Sequence, residues 1–141
     1  MAEQTRGELC WIERMRFSGR TGSGHEIVLD SPAQPDHAGP SPMEHLLLGV
    51  AGCTAMDVVA ILQKMREPIS GLTVSVVGDR APKSPKYFTA MEITYRIRGR
   101  GLNPEKVQRA VDLSHSTYCS ASASLREDCV ITSRIELLDE D

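Results

Sequence analysis

The chain has 141 residues, a formal net charge of −3 and a hydrophobic content of 40%, which bounds it to one real core rather than two. Its Lys and Arg residues form no cluster or stripe. The phosphate-neutralising term that drives nucleic-acid and anionic-membrane binding is therefore missing, and neither partner is expected. The first residues, MAEQTRGELCW, contain no apolar segment of signal-peptide type, so the expectation is a single domain over 1–141, soluble and cytoplasmic.

Residues 9–17, LCWIERMRF, alternate Leu9, Trp11, Met15 and Phe17 against Cys10, Arg14 and Arg16, the period of a half-buried strand. Residues 18–24, SGRTGSG, read as a turn, and residues 26–29 as the returning strand of a hairpin. Four Pro and Gly residues make 31–40 an irregular, extended connector.

Residues 41–66 then predict one long helix. Ser41 as N-cap, Pro42 at the first helical position and Glu44 for a capping box open it. Lys64 and Arg66 suit its C-terminal dipole, and Pro68 closes it. From Leu46 to Leu62 only Thr54 and Asp57 are clearly polar, so the helix is expected to be buried on nearly all sides. A chain of this length has little with which to wrap such a helix, which points to a partner subunit. The run approaches membrane-span length, but Gly49, Gly52, Cys53, Thr54 and Asp57 weaken it as a span.

Strands follow at 72–77 and 87–98, the second alternating Ile93, Tyr95 and Ile97 with Thr94, Arg96 and Arg98. Asn103 and Pro104 start a second, amphipathic helix with Val107, Ala110, Val111 and Ser114 on one face. Small residues follow in YCSASAS, and a last alternating strand covers 130–137. Two strands, a buried helix, two strands, a helix and a strand make an α+β fold.

The cysteines, Cys10, Cys53, Cys119 and Cys129, occur without CxxC, CxH or HxxxH spacing, so neither a metal site nor a cofactor is expected. A thiol in the middle of the apolar helix is the first candidate for chemistry. Only its thiolate is a competent nucleophile, and burial alone raises a thiol pKa, so a cation beside Cys53 is required. Nothing within its own helix supplies one.

SPMEHLLLGVAGCTAMDVV and YCSASASL, with WIERMRFSGRTGSGHEIVLD as a weaker third match, resemble the OsmC/Ohr family of thiol-dependent peroxidases, and in particular its OsmC-like branch. The resemblance implies antiparallel sheets around a long central helix, in an intertwined homodimer. It implies a small-molecule organic hydroperoxide as substrate, Cys53 as the attacking thiol, and Cys119 as the thiol that resolves its sulfenate into a disulfide. A dithiol reductant such as a lipoyl group then regenerates the pair. It further implies an arginine from the hairpin, matched by Arg20 with Arg14 and Arg16 as alternatives, held by an acid matched by Glu44. The family's acid directly follows the proline, where this chain has Met43, so Glu44 is displaced by one. Nine residues separate Glu44 from Cys53, about 13 Å and half a rotation along a helix, so Glu44 serves as a helix cap or acts at the partner chain's site.

Asp57, one turn beyond Cys53, lies on nearly the same face and is expected to be a buried acid with a hydrogen-bond partner. Cys10 and Cys129 read as structural, and His25 as a neighbour of the arginine. Two alternatives stay open. One is a non-catalytic dimer of the same fold acting as a small-ligand binder or redox sensor. The other is a thiol hydrolase pairing Cys53 with His45 or His115, for which no orienting Asn or Asp can be named.

Overall fold

The computed structural model describes residues 3–140. The chain divides into two compact units, one ending at Leu46 and one beginning at Leu47.

In the first unit, β1 (Gly7–Glu13), β2 (Arg16–Thr21) and β3 (Glu26–Leu29) form an antiparallel meander in that order. The strand expected over 9–17 is thus two strands. The chain reverses at Arg14, which adopts a left-handed φ of 46°, and the Trp11 indole N–H closes the turn onto the Arg14 carbonyl at 2.8 Å. Much of the turn expected at 18–24 is strand β2. Gly19 is buried there, and a Cβ would stand 3.2 Å from Ile27 and 3.3 Å from Leu9, so this glycine permits close packing instead of reversing the chain.

The irregular connector after β3 is held by one carboxylate. The Asp30 side chain, 2% exposed, accepts the backbone N–H of Ala38 at 2.9 Å and of Ser31 at 2.8 Å, and the Arg16 Nε–H at 2.9 Å. Arg14 reaches the same connector through Asp36 at 2.7 Å.

Helix α1 (Pro42–Lys64) starts at the expected capping box. The Ser41 N–H donates to Glu44 Oε1 at 2.9 Å, and the Glu44 N–H donates to Ser41 Oγ at 3.2 Å. Within one chain the helix is covered along a stripe, not all round. Val50, Thr54, Val58 and Leu62, four residues apart, are fully buried, whereas Leu48 is 61% and Met56 75% exposed.

The second unit contains the sheet of β4 (Ile69–Arg80), β5 (Phe88–Gly99) and β6 (Val130–Asp139), with β5 in the middle. The alternation seen in the sequence places Met91, Ile93, Tyr95 and Ile97 in the core. Here the expectation of antiparallel sheets needs one correction: β4 and β5 are antiparallel, but β6 runs parallel to β5. The crossover that parallel pairing requires is supplied by the helical segment between them. That segment begins with α2 (Pro104–Leu113), whose Asn103 cap accepts the N–H groups of Glu105 and Lys106. It widens into a π turn (Ser114–Tyr118), breaks at extended Cys119, and ends in the short α3 (Ser120–Ala123).

Three hydrogen bonds, with the Ala38 N–H contributing most and Arg16 next, hold the Asp30 carboxyl down at about 2. A group depressed in the folded state stabilises it above the unfolded value of 3.8, and that stability is lost as pH falls through about 2. Asp30→Asn is therefore expected to lower the melting temperature at neutral pH and to flatten its fall on acidification over that range. Thermal unfolding followed by circular dichroism checks this, and identical acid slopes for the two proteins would contradict it.

Candidate active site

Two polar residues interrupt the apolar run of α1, and both face the same neighbours. Thr54 lies on the buried stripe and Asp57 three residues on, near its edge. A buried hydroxyl needs partners. Thr54 Oγ1 finds Tyr95 Oη of β5 and Ser114 Oγ at the end of α2, each at 2.8 Å. Ser114 in turn donates to Asp57 Oδ2 at 2.9 Å. At the other end the Tyr95 hydroxyl meets His115 Nε2 at 2.9 Å, with the two rings edge to face.

This polar chain fixes α1 against the segment that leads into Cys119. The two cysteine sulfurs and an Asp57 carboxylate oxygen all lie within 4.8 Å of one another. Cys53 is half-buried, and Cys119 is buried at 4% exposure. Cys119 also caps α3, its sulfur accepting the Ser122 N–H at 3.4 Å. Burial pushes the Cys119 thiol up, the Ser122 N–H opposes this in part, and the nearby Cys53 adds to it. Burial likewise pushes the Tyr95 phenol up to about 12 and the His115 imidazole down. Two sulfurs and a carboxylate would offer three donors to a thiophilic cation. Among the described residues no fourth His, Cys, Asp or Glu joins them.

Residues 34–134 match the family model for OsmC-like protein. The chain belongs to the OsmC-like family. It is 39% identical over 128 residues to protein YhfA of Escherichia coli K12, covering 91% of this chain and 94% of that one. A crystal structure of a hypothetical protein from Aquifex aeolicus VF5 is 28% identical, covers 99% of this OsmC-like chain and all of its own, and superposes with a TM-score of 0.88. The organic hydroperoxide resistance protein OhrB of Bacillus subtilis, at 15% identity, shares the fold with a TM-score of 0.65, covering 95% of this chain and 98% of its own.

Of the residues singled out in the sequence of this OsmC-like chain, Cys53, Cys119 and Asp57 come together. Arg20 belongs to the first unit, where it is exposed and pairs with Glu26 at 3.4 Å. Arg14 and Arg16 are committed to Asp36 and Asp30. Glu44 is exposed and engaged in the cap, where the Ser41 N–H holds its carboxyl below the usual range. His25 bonds Ser23 Oγ through Nδ1 at 2.9 Å, and His45 contacts the Val28 carbonyl at 3.3 Å. Cys10 is exposed on β1, and Cys129 is half-buried with its thiol pushed up by burial.

Thr54, Tyr95 and Ser114 went unread as site residues. The signal was present: a hydroxyl at each of three positions whose pattern neighbours are apolar. Asp57 also lines a groove of about 830 Å³. Ile61, Met65 and Leu113 form apolar wall, and Lys64 and Arg109 bring positive charge to it.

Replacing Thr54 by Val leaves the Tyr95 and Ser114 hydroxyls each short of a partner in the core. Stability to urea is expected to fall by about 1–3 kcal/mol, with Thr54→Ser much milder. A loss in Thr54→Val no larger than in Thr54→Ser would contradict this.

Proposed function

We propose that this chain is a thiol-dependent peroxidase for organic hydroperoxides. The observation that carries the reading is the meeting of Cys53 and Cys119, 66 residues apart in sequence, with their sulfurs within 4.8 Å. Cys53 is the more accessible of the two and is assigned the attack. Its sulfur bonds to one peroxide oxygen, the O–O bond breaks, and the other oxygen leaves as the alcohol once protonated. Cys53 is then a sulfenic acid. The Cys119 sulfur displaces its oxygen as water, forming the disulfide, and a dithiol such as a lipoyl group reduces that by exchange.

The apolar residues flanking Cys53 along α1, from Leu46 to Val50 and from Met56 to Ile61 apart from Asp57, support an organic substrate over hydrogen peroxide. The name of the Bacillus subtilis neighbour, an organic hydroperoxide resistance protein, supports the same class. Arg20 and Glu44 keep their family-pattern roles in stabilising the thiolate as part of the proposal. The exposed apolar side chains of α1, Leu46, Leu48 and Met56, support a homodimer in which a second copy covers them, and we place that dimer in the cytoplasm. A second reading, a redox sensor or small-ligand-binding dimer of the same fold, draws on the burial that holds the Cys119 thiol protonated.

Peroxide consumption with cumene hydroperoxide and a lipoyl dithiol distinguishes the readings. Catalytic turnover is expected in the native protein and none in Cys53→Ser, while Cys119→Ser accumulates a sulfenic acid trappable with dimedone. Turnover that persists in Cys53→Ser would overturn the assignment. A single oxidation without turnover in the native protein would favour the sensor.

A further inference from the structure

The chain of hydrogen bonds beside the thiols has a direction, which follows from counting protons. Each hydroxyl owns one hydrogen to donate. Ser114 spends its hydrogen on Asp57 Oδ2. The Thr54–Ser114 bond at 2.8 Å is then donated by Thr54, so the Tyr95–Thr54 bond at 2.8 Å is donated by Tyr95. The Tyr95–His115 bond at 2.9 Å is accordingly donated by an Nε2–H tautomer of His115. Four donors in series point one way and end on one carboxylate. A phenol pushed up to about 12 by burial stays protonated and keeps the order intact. Donors aligned in series reinforce one another.

We propose that Asp57 is the proton acceptor and donor for the Cys53–Cys119 couple, with Ser114, Thr54, Tyr95 and His115 as positioning residues that hold it beside the sulfurs. The proposal rests on the dithiol peroxidase reading and supplies its proton bookkeeping. In the first half-reaction the Cys53 thiol proton passes to the Asp57 carboxylate, leaving the thiolate that attacks and that Arg20 and Glu44 are proposed to stabilise. The S–O bond forms, the O–O bond breaks, and the departing alkoxide takes the proton back from Asp57 as the alcohol. In the second, Cys119 gives its proton to Asp57 as the S–S bond forms, and hydroxide leaves Cys53 and collects that proton as water. The carboxylate ends each half as it began, and both thiol protons leave in the products. A single carboxylate serves both halves because it lies within 4.8 Å of both sulfurs.

Asp57→Asn separates this role from a purely electrostatic one. Removing a negative charge beside a thiol favours the thiolate, so mass-mapped alkylation of Cys53 by iodoacetamide at neutral pH is expected to quicken. Loss of the proton acceptor is expected to slow Cys53–Cys119 disulfide formation by cumene hydroperoxide about 100-fold. Tyr95→Phe, which breaks the chain two links away, is expected to slow disulfide formation in the same direction by a smaller factor. Oxidation as fast as native, or faster, in Asp57→Asn would overturn the proposal. If alkylation and oxidation both slow, Asp57→Glu decides: recovered oxidation supports a carboxylate base, and oxidation as slow as with Asn overturns it. Oxidation by diamide runs in parallel, since it draws the same two electrons and two protons without a peroxide. A native protein that reacts with diamide but not with hydroperoxide would end the peroxidase reading, and Asp57 would then be judged on the diamide rates by the same criteria.

Discussion

A single hydroxyl, that of Thr54, sets the geometry on which the candidate site depends. It sits on the fully buried stripe of α1 between Val50 and Val58, where an unpaired polar group would cost on the order of 1–3 kcal/mol. Its two partners come from β5 and from the end of α2, so satisfying it fixes three elements against one another. Hydrophobic burial brings these elements together but is indifferent to small slides and rotations. The hydroxyls are not, because their bonds are short and directional. Cys53 is the residue before Thr54, and Cys119 follows the π turn that Ser114 begins. The constraint that satisfies Thr54 thereby also sets where the two sulfurs lie.

The same burial creates a chemical conflict. A thiol at 4% exposure is stabilised in its protonated, unreactive form, and Cys119 is pushed that way. Reactivity then needs either a cation or a base at hand. In the second unit an Asp57 carboxylate oxygen lies within 4.8 Å of both sulfurs, and Ser114 donates to the same side chain. The hairpin arginines offered by the family pattern are engaged with acids of their own unit.

Much of the fold was legible because its signals are local. The capping box at Ser41 and Glu44, the Asn103 and Pro104 start of α2, and the alternation of β5 each rest on a few adjacent residues. The direction of β6 was not legible, since parallel and antiparallel strands share the same period of two. The turn at Arg14 was hidden for a related reason: a left-handed arginine carries no glycine to announce it, while Gly19 suggested a turn where close packing was its purpose. At the site, the place of Cys53 in the middle of the apolar helix made it the first candidate, the family resemblance paired it with Cys119, and helix periodicity supplied Asp57. Tyr95 and Ser114 were read as ordinary core positions. Their pairing with Thr54 joins residues 41 and 60 positions apart, and no local pattern encodes that.

The most direct test is to oxidise the reduced protein with one equivalent of hydroperoxide, denature it under non-reducing conditions and map its disulfides by mass spectrometry. A single crosslink between Cys53 and Cys119 within one chain is the predicted result. Crosslinks involving Cys10 or Cys129, or oxidation of Cys53 that proceeds to sulfinic acid while Cys119 remains a free thiol, would contradict the arrangement.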